Sequence, residues 1–533
     1  MRHENLIKEK IQQTLYKQYG TNPPPPKQIE GDYLTLLSEM IEKENQTRPK
    51  GQRIKMLQTM PPEAIAFFIL NYHSVIRIPY SGDEPEMYND LYIYVDKGDF
   101  KGLYSRDENL FAMLIRQYDF SATDNKIANV ISHLKPYAPI RQKCENKDLV
   151  PVNNGLFDYK KKVLLPFNPD LVFTAKSPID FIPNAPNVLL HNEDGTDWDV
   201  ESWMSDLSDD EDVVRLLWQL AGATVRYNVN FDTCVGLYGP DGAGGKSTLI
   251  TLLRALSGRR NSPSIPFRSF SKDFHLENLL YSTNIFTDEV STSSDGGYLK
   301  NAETFKALIS GDSIFMNRKF KTPISADLNP FIIFGLNEMI NFADKSGSLE
   351  RRLLFVPMLK SFRYKKRKYI KEKYVVDKKV LEHVLYKVLA ELPDYDDFST
   401  CAACEALKDE FLRDTNPILD FLKDVIPQFN NPMIPLEMLF DLYLNWLKRH
   451  RPNANPVNNR AFYRDVRRFV SSKTFPDWDA PTNSVPTRNN LSKPEPLLQE
   501  YGVSNWLNIF YAPHIKAPAS SYRAIRRVTW SNP

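Results

Sequence analysis

One decapeptide limits what this chain can fold into. Gly239-Pro-Asp-Gly-Ala-Gly-Gly-Lys-Ser-Thr248 lies between a short apolar run, Cys234-Val-Gly-Leu-Tyr238, and a helical pattern that opens near Lys246. A glycine-rich loop between a strand and a helix is the context of a phosphate-binding loop. Glycines let backbone N–H groups converge on phosphate oxygens without Cβ clashes, and the helix N-terminus adds partial positive charge. Gly242, Ala243, Gly244, Gly245, Lys246, Ser247 and Thr248 are the expected phosphate-binding residues. Lys246 can reach the β- and γ-phosphates of ATP, and Ser247 can hold Mg²⁺. The strict spacing is missed by one position. Its first glycine falls on Pro240, with Gly239 just before it. Proline cannot supply a positive φ, so the opening turn is expected to be built differently.

A loop of this kind also needs acid to hold the metal and orient water. Asn284-Ile-Phe-Thr-Asp-Glu-Val290 is a short apolar strand pattern ending in two carboxylates, about forty residues downstream. Asp288 is the expected Mg²⁺ ligand, and Glu289 the group that polarises the attacking water. Pro330-Phe-Ile-Ile-Phe-Gly-Leu-Asn337 reads as a further buried strand, with Asn337 placed to sense the γ-phosphate. Glu350-Arg-Arg352 precedes a fourth apolar run, 353–357. An arginine there suits the charge that develops on a transferred phosphoryl group in an adjoining subunit.

Composition narrows the remainder. The chain has 533 residues, 42% hydrophobic and 25% charged, as in a soluble protein of several domains. Runs such as 64–70 and 331–336 are far below the roughly 20 apolar residues that a bilayer requires. The opening MRHENLIKEK has no apolar stretch of a signal peptide. A cytoplasmic protein without membrane contact is expected. A net charge of +2 means that any nucleic-acid contact comes from local basic clusters. Of Cys144, Cys234, Cys401 and Cys404, the last two form a lone CxxC, which reads as two reduced thiols rather than a zinc site.

The order of loop 239–248, acidic pair 288–289, Asn337 and Arg352 resembles a superfamily III helicase of the AAA+ class. The resemblance covers about residues 90–360. It implies an α/β fold: an AAA+ P-loop core with a parallel sheet, a mixed α+β domain before it and a winged-helix domain after it. It further implies ATP hydrolysis with Mg²⁺, a homo-hexameric ring and 3′→5′ travel on DNA. Between the acidic pair and Asn337 this family carries a DNA-binding hairpin, and residues 305–313 and 316–323 look like that motif. The implied tip, Lys319-Phe320-Lys321, would grip single strands, lysines on phosphates and the ring on a sugar or base. Residues 153–159 through 176–183 look like the domain that precedes the motor in phage, plasmid and poxvirus primase–helicases. The whole is most similar to replication initiator–helicases of Gram-positive, including staphylococcal, mobile elements, which implies a bacterial host cell.

The expected domains are a helical segment over 1–60, a collar-like domain over 61–205, the motor over 206–365, a basic helical connector over 366–410 and a winged helix over 411–533. In the last, Asn458 can cap a helix running to 472. Phe462, Val466 and Phe469 share one face of it, with Arg460, Arg464, Arg467 and Arg468 opposite. An apolar side in a core and a guanidinium side free for phosphates and guanine edges is how a recognition helix reads. The favoured function is therefore an ATP-dependent replication initiator that binds and unwinds origin DNA. Two alternatives stand beside it: the helicase half of a split primase–helicase loaded by another initiator, and a P-loop assembly ATPase that does not unwind DNA.

Overall fold

The computed structural model describes residues 2–81, 89–192, 195–266, 270, 273–290, 298–299, 302–319, 321–339, 341–342, 348–363, 367–472, 474–487, 490–508, 510, 512–516 and 519–528. The chain divides into two compact units, Met1–Cys404 and Glu405–Pro533.

The first unit opens with helices Arg2–Tyr19 and Pro26–Gln46. Pro26 sits in the first turn of the second helix, where a missing N–H costs nothing. Their apolar stripes, Ile11 and Leu15 on one and Tyr33, Leu37 and Ile41 on the other, are buried with Phe68, Phe111, Ile115 and Val130. These last residues belong to helices Pro62–Tyr72, Glu108–Tyr118 and Asp124–Leu134. Residues 1–60 thus contribute to the same core as those three helices. Two small antiparallel sheets continue the unit: Val75–Ile78, Asp90–Tyr94 and Tyr104–Ser105, then Leu149–Val152, Gly155–Asp158 and Val163–Leu165.

A parallel sheet then carries the loop. Its strand order is Asn284–Val290, Phe331–Leu336, Cys234–Tyr238, Leu353–Pro357. All six residues of Phe331–Leu336 are buried, which is why these strands read as unbroken apolar runs rather than alternating ones. Helices Glu211–Val225 and Lys246–Ser257 add Leu216, Leu220, Leu249 and Leu253 to a core that also holds Leu237, Phe286, Ile333 and Val356. Each such side chain is worth about 1.5–3 kcal/mol of burial. Asp210 caps the first of these helices by accepting from the Asp212 N–H. Cys401 and Cys404 are buried in the same core.

The second unit packs helices Pro417–Val425, Leu436–His450 and Asn459–Ser471 around Phe421, Tyr443, Trp446, Phe462 and Val466. Against them lies a three-stranded antiparallel sheet in the order Met433–Pro435, Ala524–Arg527, Trp478–Asp479. Ile525, on the middle strand, is fully buried in the same core. A second ribbon pairs Val485–Pro486 with Ser521–Tyr522. Helices combined with a small sheet that is closed by a C-terminal strand make this unit α+β.

Candidate functional site

The loop begins where the strand Cys234–Tyr238 ends. The Gly239 N–H donates to the Leu336 carbonyl at 2.9 Å, fixing the exit of one strand to the end of its neighbour. The left-handed turns fall on Gly242 and Gly245, with φ of 64° and 84°, so Pro240 is spared any positive φ. Gly245 is also the N-cap of helix Lys246–Ser257, and a Cβ there would stand 2.7 Å from Leu207. Gly244 is excluded from carrying a side chain by proximity instead, since its Cβ would lie 2.4 Å from the Met358 carbonyl oxygen.

Lys246 is buried, and its ammonium donates to the Gly239 carbonyl at 2.5 Å. A buried ammonium inside a glycine loop, at the first turn of a helix, is a fitting partner for phosphate oxygens. Ser247 is exposed in the same turn, which leaves its hydroxyl accessible to a phosphate-bound cation. The residues therefore fit a nucleoside triphosphate with Mg²⁺.

The strand ends bring the other predicted groups to this edge. Leu336 is level with Tyr238 on one side and Val290 on the other. Asn337 thus follows its strand beside Gly239. Between the pairs Thr287↔Phe334 and Val290↔Leu336 the register shifts, so Asp288 and Glu289 together face one residue of the partner strand. Such a bulge marks many catalytic edges. The side chains of Asp288 and Glu289 lie outside the described residues; their backbone is at the correct end of the sheet for a site beyond the carboxyl ends of parallel strands.

Arg352 sits at the other end. It closes the short helix Glu350–Arg352 just before Leu353, and Leu353 pairs with Cys234. The loop starts beyond Tyr238, so five residues of strand, about 17 Å at ~3.3 Å per residue, separate Arg352 from its own loop. Its Nε donates to Asp232 Oδ1 at 2.9 Å and its Nη1 to the Ser348 carbonyl at 3.3 Å. Partial burial raises the Asp232 carboxyl, but the hydrogen bonds from Arg352 and Ser310 outweigh it and hold the group below the usual carboxylate range. Arg351 is exposed.

The predicted hairpin is present. Ser313–Arg318 pairs antiparallel with Lys321–Asp327, and Arg318 is paired with Lys321. Lys319 and Lys321 are exposed, while Phe320 lies outside the described residues. Sequence reasoning missed how the hairpin is anchored. The Asp327 N–H donates to the Tyr80 carbonyl at 2.9 Å, and Arg318 Nη1 reaches the Tyr80 hydroxyl at 3.4 Å. Tyr80 and Tyr281 both donate to Asp90 Oδ2, at 2.5 and 2.9 Å. Burial, then the Asp90 charge, pushes the Tyr80 hydroxyl up to about 12 and the Tyr281 hydroxyl higher still. The Arg106 guanidinium covers the Tyr281 ring at 3.3 Å.

In the second unit, Asn458 caps helix Asn459–Ser471 by accepting from the Ala461 N–H at 2.9 Å. Phe462, Val466 and Phe469 are buried and the arginines lie opposite. Arg460, Arg464 and Arg467 line a cavity of about 540 Å³ with Tyr463 and, from the far end of the unit, Arg523. Arg468 is not among them, and its guanidinium lies over the Phe469 ring at 4.5 Å. Arg523 was visible in the sequence only as one of several basic residues near the C-terminus.

A model of a family of unknown function (DUF5906) matches residues 237–352, from the end of the loop strand to Arg352. An A-form apo structure of the NrS-1 C-terminal region is similar over 85% of this chain and 97% of that one, at 14% identity and a TM-score of 0.44. A second apo structure of that region gives 70% and 90%, 13% identity and 0.41. A small-molecule complex of JCV helicase gives 46% and 63%, 15% identity and 0.28.

Proposed function

We propose that this chain is an ATP-dependent DNA helicase of the superfamily III, AAA+ type and acts as a replication initiator. In this reading its second unit, as a winged helix, binds origin duplex, and a homo-hexameric ring of its first unit travels 3′→5′ on one strand. The observation that carries the reading is the two-ended sheet. The loop, Asn337 and the acidic pair share one edge, while Arg352 stands at the other, beyond reach of its own loop. An arginine so placed can serve the charge on a γ-phosphoryl group only in an adjoining subunit.

MgATP, when bound, supplies the phosphoanhydride whose cleavage drives the cycle. Lys246 meets its terminal phosphate oxygens, and Ser247 and Asp288 hold the cation. Glu289 orients water, and Asn337 reads whether the γ-phosphate is present. Lys319, Phe320 and Lys321 grip the strand in the ring's channel. Arg460, Arg464 and Arg467 select the origin duplex. In the same reading the setting is a mobile element of Gram-positive bacteria, and hence a bacterial cytoplasm.

The test is direct. Purified protein is assayed for ATP hydrolysis with and without DNA, for separation of a forked duplex with either polarity of overhang, and for mass in solution with a non-hydrolysable nucleotide. DNA-stimulated hydrolysis, separation from a 3′ tail and a six-subunit mass are expected. Hydrolysis that ignores DNA and never separates strands would refute the helicase reading and favour an assembly ATPase.

A further inference from the structure

Asp232 stands where two parts of the proposed machine meet. Its Oδ1 accepts from Arg352 Nε at 2.9 Å and from Ser310 Oγ at 3.0 Å. Ser310 is the last residue of helix Ala302–Ser310, three residues before the hairpin strand Ser313–Arg318 begins. The same helix touches the arginine segment a second time, through Lys306 Nζ on Ser348 Oγ at 3.2 Å. Asp232 itself is held at φ 43°, in the left-handed region that a side chain rarely occupies. Asn230 fixes that conformation by accepting the Asp232 N–H at 2.9 Å while donating to the Ser310 carbonyl at 2.9 Å. A strained residue, braced by its neighbour and hydrogen-bonded to two separate elements, points to a role in positioning. Two residues further on, Cys234 opens the strand that leads to the phosphate loop.

We propose that Asp232 is a positioning residue that ties Arg352 to the root of the hairpin, so that movement of the arginine toward or away from a neighbour's nucleotide shifts the hairpin on DNA. The inference rests on the helicase reading above, in which Arg352 serves the adjoining subunit and the hairpin grips the strand. One carboxylate oxygen shared by both donors makes the coupling short. When Arg352 leaves for the neighbour's phosphate, Asp232 keeps Ser310 as a donor but loses the guanidinium that anchors it, so the carboxylate and the helix end bonded to it shift together. When Arg352 returns, the helix end is drawn back.

The experiment compares Ser310→Ala, Ser310→Thr and Asp232→Asn in the full chain. It measures ATP hydrolysed and forks separated in the same reaction and reports their ratio. Ser310→Ala removes the hydroxyl's bond to Asp232 and leaves in place the Asp232–Arg352 pair and the Asn230 bond to the residue-310 carbonyl. Its hydrolysis should persist while forks separated per ATP fall at least about fivefold, the factor one hydrogen bond is worth. Ser310→Thr keeps the hydroxyl and should restore the ratio, an outcome that loss of packing alone would not produce. Asp232→Asn should lower both hydrolysis and the ratio. A Ser310→Ala protein with the wild-type ratio overturns the proposal, as does failure of Ser310→Thr to rescue. Should Asp232→Asn fail to fold, the serine pair still decides. If wild-type protein hydrolyses ATP but separates no forks, the helicase reading itself has failed, which is a different result from an uncoupled Ser310→Ala.

Discussion

The Lys246 ammonium and the Gly239 carbonyl lie 2.5 Å apart, so the loop's only cation is held by the loop's own first residue. A phosphate must replace that carbonyl to bind, and the exchange is favourable because an anion is the stronger partner of a buried ammonium. Lys246→Ala is therefore expected to lower turnover by about 100-fold or more, the scale of losing a preorganised charge-stabilising donor. Glu289→Gln should still bind nucleotide with little loss of affinity, yet turn it over as slowly. Steady-state hydrolysis beside fluorescent-nucleotide titration checks both, and near-normal turnover in either protein removes the assignment.

The two left-handed glycines should respond differently. Gly245→Ala meets both a positive φ and Leu207 at 2.7 Å, whereas Gly242→Ala meets only the φ, with nothing within 4 Å. The conformational cost is roughly 1–2 kcal/mol at each. The clash adds to it at 245 alone. Thermal melting should therefore place Gly245→Ala below Gly242→Ala. Equal midpoints would mean that Leu207 does not crowd position 245 as described.

Arg352→Ala is expected to bind nucleotide and hydrolyse little. Mixed with Lys246→Ala subunits it should regain activity, since an intact arginine can then face an intact loop. Arg351→Ala, which removes an exposed side chain, should keep most of its turnover. If no mixing ratio rescues activity, the site is not shared between subunits. Activity in Arg352→Ala alone would exclude that residue.

Gripping DNA and choosing it should separate genetically. Replacing Lys319 and Lys321 with Ala should abolish fork separation and spare origin affinity. Replacing Arg460, Arg464 and Arg467 should do the reverse. Arg523, which lines the same cavity, should behave like those three. Each lost phosphate contact flattens the salt dependence of binding by about one unit of slope. Titrations of origin and scrambled duplex at several salt concentrations give the answer. If the triple variant still prefers the origin as strongly as wild type, the helix Asn459–Ser471 is not the reader.

What the sequence determined by itself is local. The loop, the apolar strands before and after it and the cap at Asn458 were all legible, because each depends on neighbours within a few residues: glycine geometry, an unbroken run of buried side chains, a side-chain oxygen three residues from an amide. The hairpin was expected from the resemblance alone. The tertiary structure alone decided which local pieces meet. Nothing in periodicity places the Asn337 strand between the loop strand and the acidic one. Nothing pairs Asp232 with Arg352, 120 residues on, or Arg318 with Tyr80, 238 residues back. Nor does it bring Arg523 beside Arg460, or show that helices Arg2–Tyr19 and Pro26–Gln46 share a core with Phe68, Phe111 and Val130. Strand order and long-range contacts are settled by which apolar faces exclude water together, and hydrophobic burial is non-directional. Its strength depends on area rather than on separation along the chain, so the pattern of a segment states that it must be covered without stating by what.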